Sequence, residues 1–294
     1  MLTRITVAGG GTLGSQIAYQ TAFFGKQVIV YDINDDALNS AKNRLSALDQ
    51  HYQQDMSATT AQLVATHDRL SLSSDPNVAF ANRDLIIEAV PEVPEIKTNL
   101  YQQIAAISAP QTILASNSST FLPSQFAADT GAPAQFANLH FANSIWKHNT
   151  AEIMGHSETS SQTIQQLTDF AREIHMVPIV LNKEQPGYVL NTMLTPFLED
   201  AAYLWGNDIV DAPTVDRTWM IGTGAPEGPF GIIDKVGLRT FYSIEQQRVA
   251  DKPAYQPMLT KIKQMIDQQL LGIETGHGFY TYPDPAYLKP NFLS

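Results

Sequence analysis

The sequence predicts an α/β fold: a Rossmann-type, doubly wound and mostly parallel sheet over residues 1–186, then a smaller all-α C-terminal domain over residues 187–294. Three observations carry this expectation. Short β-branched runs alternate with amphipathic helical stretches from Ile5 to Val180, the pattern of successive βαβ units. The first unit holds the glycine turn Gly9-Gly10-Gly11-Thr12-Leu13-Gly14. After Pro186-Gly187 the alternation stops, and apolar residues recur only at helical spacing.

In the first unit, the strand Ile5-Thr6-Val7-Ala8 runs into that turn. A helix follows with Leu13, Ile17, Ala18, Thr21 and Phe24 three and four apart, ended by Gly25, and the strand Val28-Ile29-Val30-Tyr31 leads to Asp32. Gly9 makes the tight turn, Gly11 lets a pyrophosphate approach the backbone, and Gly14 lets helix and strand pack closely. Phosphates would rest on the amides and dipole of the helix N-terminus at Thr12 and Leu13. Asp32, at the end of the second strand, suits hydrogen bonds from an adenosine ribose and repels a 2′-phosphate, so the expected cofactor is NAD. The plainer reading of Asp32 is a cap for the next helix, but Asp35 is better placed for that.

The remaining elements follow in order. Asp36 to Gln54 is helical, with Leu38, Ala41, Leu45 and Leu48 on one stripe, and a shorter helix covers Thr59 to Ala65. Arg69 to Leu72 reads as a third strand and Ser73 to Pro76 as a loop. Asp84 to Val90 is a buried strand, Ile96 to Ile107 an amphipathic helix and Thr112 to Ala115 another buried strand. The latter opens into Ser116-Asn117-Ser118-Ser119-Thr120, where parallel-sheet enzymes keep their ligands. Phe136 to His140 ends likewise at His140 and Asn143, and Thr150–Met154 and Met176–Val180 complete the sheet. In the second domain a long, many-sided apolar helix spans Tyr188 to Trp205, with further helices at Thr214–Met220, Leu238–Arg248 and Pro257–Leu271 and a loop from Gly222 to Pro229. A helical domain of about a hundred residues is short of core and gains burial in a homodimer.

Composition narrows the function. The 294 residues are 44% hydrophobic and 16% charged, with no apolar run approaching the length needed to span a bilayer. The start Met1-Leu2-Thr3-Arg4 has no basic, apolar leader, so the expected location is cytoplasmic. Zero cysteines exclude disulfides and thiolate chemistry, and no metal site is expected. A formal charge of −11 speaks against a nucleic-acid partner.

Among residues capable of chemistry, His140 and Glu152 stand near consecutive strand ends, where a carboxylate can hold the tautomer of an imidazole whose ordinary pKa is about 6.5. The other histidines (His51, His67, His148, His156, His175 and His277) read as surface or packing residues without a carboxylate partner. Ser119 lacks the G-x-S-x-G surroundings of a hydrolase nucleophile and suits a hydrogen-bond donor to a substrate oxygen. Asn191 is either a polar residue at the domain junction or a second such donor.

These motifs resemble the short-chain 3-hydroxyacyl-CoA dehydrogenase family over essentially the whole chain. The matching stretches are the glycine turn with Asp32, Asp84–Val90 with Glu92 and Lys97, Ala115–Ser119, His140-Phe141-Ala142-Asn143, Pro186–Asn191, Gly228-Pro229-Phe230 and Gly276–Tyr280. The resemblance implies an NAD-dependent oxidoreductase interconverting 3-hydroxy and 3-keto acyl groups, with a place in fatty acid metabolism. It implies His140 as acid/base, Glu152 as its partner, Ser119 and Asn191 on the substrate, Glu92 and Lys97 beside the nicotinamide, and Asn143 at both cofactor and substrate. It also implies dimerisation through the helical domain.

Departures bear on the substrate. Relatives that bind coenzyme A usually carry lysines on the helical pair after the second strand, but Leu45 through Asp68 contain no Lys or Arg. Each missing charge-assisted contact removes about 1.5–3 kcal/mol of potential binding. Ala142 and Ser144 stand where Phe and Pro are common, Thr192 where Arg is usual, and His277 in place of a cofactor-side lysine. Together with Trp146, Asn149–Glu152 and Ile221–Pro226, the segment at His140–Asn143 is most similar to the diketoreductase branch, whose substrates include diketo esters without coenzyme A. A reading of another class is a non-catalytic relative of the lens-crystallin kind; the intact set Ser119, His140, Glu152 and Asn191 argues against it.

Overall fold

In a computed structural model describing residues 1–294, the chain divides into two compact units, Met1–Val189 and Leu190–Ser294. No helix is long and apolar enough to cross a membrane.

The first unit contains β1 (Arg4–Ala8), α1 (Thr12–Phe23), β2 (Gln27–Tyr31), α2 (Asp35–Met56), α3 (Thr60–His67), β3 (Leu70–Ser73), α4 (Pro76–Phe80), β4 (Leu85–Glu88), α5 (Pro94–Ile107) and β5 (Ile113–Ser116). It continues with β6 (Phe136–Phe141), β7 (Thr150–Met154), α6 (Ser161–Glu173) and β8 (Val177–Leu181). The eight strands lie in the order β3-β2-β1-β4-β5-β6-β7-β8, parallel throughout except between β6 and β7. This is the doubly wound sheet the sequence predicts, with its order reversing beside β1.

The central strands are apolar on both sides because helices cover both faces. Leu85, Ile87, Ile113 and Ala115 join α1, α2, α3 and α6 in one core, whereas Ile86, Leu114 and Phe136 face α4 and α5 in the other. Asn138 and His140 follow Phe136 with the strand period of two, so β6 carries a polar row toward the α5 side.

Several local expectations are corrected. Helix α4 begins at Pro76, the last residue of the expected loop, and α6 covers a stretch for which the sequence suggests no element. Asp75 accepts from the Asn77 amide ahead of α4, and Ser160 from the Thr163 amide ahead of α6. The cap of α2 is Asn34, whose Oδ1 accepts from the Ala37 amide; Asp35 is already helical. His67 does have a carboxylate partner, Asp49 at 2.8 Å. Tyr188 is not part of the long helix, since Gly187 and Tyr188 both take left-handed φ values, 79° and 55°, and turn the chain before it.

The second unit holds α7 (Leu190–Gly206), α8 (Ala212–Thr223), α9 (Pro229–Val236), α10 (Leu238–Arg248) and α11 (Gln256–Asp267) around a core that includes Leu198, Phe230, Ile233, Phe241 and Ile262. The start of α9 falls at the end of the stretch read as a loop. Its amides at Phe230 and Gly231 donate to Asp216, which burial pushes up to about 6. On α10, Glu245 is fully buried, and burial followed by the neighbouring Glu199 pushes its carboxyl up to about 7.

A carboxyl held neutral in the folded state binds a proton that the unfolded chain releases at lower pH, so its contribution to stability falls as pH rises from about 4 to about 7. E245Q, neutral at every pH, is expected to unfold near the parent's midpoint at pH 5 and above it at pH 8. Thermal melts at the two pH values check this; equal gaps at both would contradict it.

Candidate active site

Three strand ends on the α5 side build the site. Because β6 and β7 are antiparallel, His140 pairs directly across from Glu152. Glu152 therefore sits in mid-strand rather than at a strand end, with Oε2 3.1 Å from His140 Nδ1. Its Oε1 accepts the Val189 amide at 2.9 Å. On the opposite edge of the ring, His140 Nε2 lies 3.1 Å from Ser119 Oγ. His140 is 5% and Glu152 3% exposed, so a charge formed on the imidazole meets its counterion largely out of water.

Ser119 is carried by the loop after β5, and Glu92 shapes that loop by accepting the Ser119 amide at 2.8 Å and Ser118 Oγ at 2.9 Å. Beneath it, fully buried Glu88 at the end of β4 accepts from Lys97 Nζ at 2.7 Å and from Tyr101 Oη and Ser116 Oγ at 2.6 Å each. Burial, then the charge of Glu88, pushes the Tyr101 hydroxyl up, keeping it a donor. Lys97 is 1% exposed and also lies 3.6 Å from Glu92. Its ammonium thus reaches the two carboxylates and supports the loop from below.

Asn143 is exposed in the loop after β6, which Ser144 ties to α1 through its amide to Gln16 Oε1 at 2.8 Å. Asn191 is the second residue of α7, in the other unit. His140, Glu152, Ser119 and Glu92 are thus brought together within the first unit. Sequence reasoning missed Glu88, Tyr101 and Ser116. It also missed Tyr188, whose ring stacks on His140 with centroids 4.5 Å apart. Only the left-handed turn that Pro186-Gly187 hinted at could have suggested Tyr188.

The glycine turn fits a dinucleotide. Gly9 has φ +107°, and a Cβ there would meet the Ala89 carbonyl oxygen at 2.5 Å; one on Gly14 would meet the Gly9 carbonyl oxygen at 1.9 Å. At Gly11 a Cβ would meet nothing within 4 Å, which leaves an open cradle over the turn. Gly11 caps α1 without any side-chain cap, and no acid lies in the first turn, so the helix N-terminus can receive an anion. Asp32 Oδ2 accepts the Gly10 amide at 2.8 Å and Oδ1 the Ile33 amide at 2.9 Å, and both oxygens keep a lone pair for a sugar hydroxyl. No group of three or more histidine or acidic residues is placed to hold a metal ion.

The chain is similar to known proteins over most of its length. Residues 4–185 match the family described as 3-hydroxyacyl-CoA dehydrogenase, NAD binding domain, and residues 187–282 match 3-hydroxyacyl-CoA dehydrogenase, C-terminal domain. A probable 3-hydroxybutyryl-CoA dehydrogenase of Deinococcus radiodurans is 31% identical over 281 residues, covering 94% of this chain and 99% of the relative. Among solved structures, a diketoreductase described as acting on dicarbonyl compounds is 45% identical with a TM-score of 0.91, covering 96% of this chain and 99% of that one. The (S)-3-hydroxybutyryl-CoA dehydrogenase PaaH1 of Ralstonia eutropha is 26% identical with a TM-score of 0.84, covering 97% and 100% respectively.

The contrast between the glycines is testable. G11A is expected to melt like the parent yet weaken NADH binding at least about 10-fold, or about 1.4 kcal/mol, whereas G14A destabilises the fold itself. Thermal melts and NADH fluorescence titrations separate the two; unchanged NADH affinity in G11A would remove Gly11 from the cofactor site.

Proposed function

This chain belongs to the 3-hydroxyacyl-CoA dehydrogenase family, and from that premise we propose how its own residues carry the reaction. It is an NAD-dependent oxidoreductase acting on a CH–OH group. We infer that His140 is the acid/base for interconversion of a 3-hydroxyacyl and a 3-ketoacyl substrate of the 3-hydroxybutyryl-CoA kind. The observation that carries this is the line Glu152–His140–Ser119, with 3.1 Å at each side of the ring.

Glu152 keeps the Nδ1 proton in place, leaving the Nε2 lone pair to accept the proton of the substrate hydroxyl. Ser119 Oγ, beside Nε2, hydrogen-bonds the same substrate oxygen and fixes where the proton leaves. In the reducing direction protonated His140 returns that proton from Nε2 while Glu152 balances the imidazolium. NAD, when bound, supplies the acceptor or donor of hydride at C3. Gly9, Gly11, Gly14 and the amides of Thr12 and Leu13 are assigned to its phosphates and Asp32 to its adenosine ribose. Glu92 and Asn143 are assigned to its nicotinamide side, and Lys97, buried against Glu88, acts there through Glu92. Asn143 and Asn191 keep the substrate roles that the family resemblance gives them.

A second reading, a substrate without coenzyme A, is favoured by the surface of α2 and α3. Leu45–Asp68 supplies no Lys or Arg for a nucleotide tail. Lys147 is already held by Asp55 at 2.9 Å, which also accepts Trp146 Nε1 at 2.8 Å. Trp146 in turn stacks on His51 with centroids 5.0 Å apart. The likeness to the diketoreductase points the same way. The proposal includes a cytoplasmic location and, with a coenzyme A substrate, a role in fatty acid metabolism. It also includes a homodimer through the helical unit, where Met193, Ile209, Trp219 and Ile221 are exposed.

H140A is expected to lower kcat by about 10²–10⁴-fold with NADH affinity nearly unchanged; surviving turnover would reassign the base. Comparing acetoacetyl-CoA with ethyl acetoacetate under NADH decides the substrate, since a large preference for the thioester would set aside the argument from missing lysines. Light scattering at low concentration should give twice the chain mass, and a monomer would refute the dimer.

A further inference from the structure

We propose that Tyr188 is a positioning residue that sets the plane of the His140 imidazole, acting through ring stacking and a tethered hydroxyl. The inference rests on the assignment of His140 as acid/base and asks what orients it. Hydrogen bonds at Nδ1 and Nε2 hold the two edges of the ring, but neither supports its faces. The Tyr188 ring supports one face: it lies against the imidazole at 4.5 Å between centroids and 12° between planes, and is itself 1% exposed.

Tyr188 cannot slide. Its hydroxyl donates to the Ser118 carbonyl at 2.6 Å and accepts from Asn138 Nδ2 at 2.9 Å. Ser118 adjoins Ser119, and Asn138 precedes His140 by two residues on the same face of β6, so one hydroxyl ties together the two elements that carry the proposed proton relay. The next residue completes the arrangement, because the Val189 amide fixes the Glu152 oxygen not used by His140. Tyr188 adopts φ +55°, a left-handed conformation in which a bulky side chain is strained, and such strain persists where the surroundings over-determine it. Burial, the leading cause, pushes the hydroxyl above its ordinary range, so it remains a donor throughout turnover. An imidazolium facing an aromatic ring is also favoured, which helps the half-reaction in which His140 holds the proton.

The test compares Y188L, which removes the face, with Y188F, which keeps it and loses the tether; Y188M is a second faceless variant if Y188L does not fold. The faceless variant is expected to lose about 30- to 100-fold in kcat with substrate KM and NADH affinity within about 3-fold. Y188F should recover most of that loss. Imidazole ¹⁵N spectra should keep one sharp Nδ1–H tautomer for His140 in the parent and Y188F, broadened or split in the faceless variant. An unchanged His140 signal, a loss confined to KM, or equal losses in Y188F and Y188L would each overturn the proposal. The spectra judge the ring's placement even where H140A retains turnover, so failure of the base assignment is distinguishable from failure of this one.

Discussion

The register between β6 and β7 is the constraint on which the site depends. Every other neighbouring pair in the sheet is parallel; here the chain reverses, and that reversal places His140 across from Glu152. Side chains alternate faces along a strand, so a slip of one residue would send Glu152 into the apolar core that holds Ala151 and Ile153. The apolar residues flanking Glu152 therefore fix the register, and the register fixes the hydrogen bond.

A second layer holds the loop that carries Ser119. Glu88, Lys97, Tyr101 and Ser116 form a buried polar group in which each carboxylate oxygen of Glu88 has a donor. Burying such an ion pair is stabilising only when its hydrogen bonds are complete, and removing one partner from such a pair costs about 3–5 kcal/mol. The return is placement: Lys97 sits close to Glu92, whose two oxygens fold Ser118 and Ser119 into reach of His140. The second unit uses buried acids differently, with Asp216 and Asp234 gathering amides and tyrosine hydroxyls that link α8, α9 and the segment around Tyr280.

Much of this is legible in the sequence because it rests on local signals. The glycine turn, the two-sided apolar strands at Leu85–Ile87 and Ile113–Ala115 and the acid at position 32 need only neighbours to be recognised. Helix α6 was readable too, since Ser160 followed by Ile164, Leu167, Phe170, Ala171 and Ile174 gives a cap and one apolar stripe. What was not legible depends on long-range pairing. Nothing local marks β7 as antiparallel, Glu88 as a hub or Tyr188 as the ring beneath His140. Periodicity reads the chain from Tyr188 on as helix, and only the left-handed pair at Gly187 and Tyr188 breaks it.

On the proposed assignment, Asp32 carries two duties at one carboxylate. Oδ2, on the side proposed to face the adenosine ribose, is also the acceptor that pins the Gly10 amide and, with the Arg44 guanidinium on the Gly10 carbonyl, fastens the loop. Redesign toward a phosphorylated dinucleotide must remove the negative charge at this position, and with it the peg that keeps the loop in shape. Cofactor preference and loop rigidity are therefore mechanically linked, and a switch of nucleotide has to bring a replacement acceptor for that amide from elsewhere in the chain.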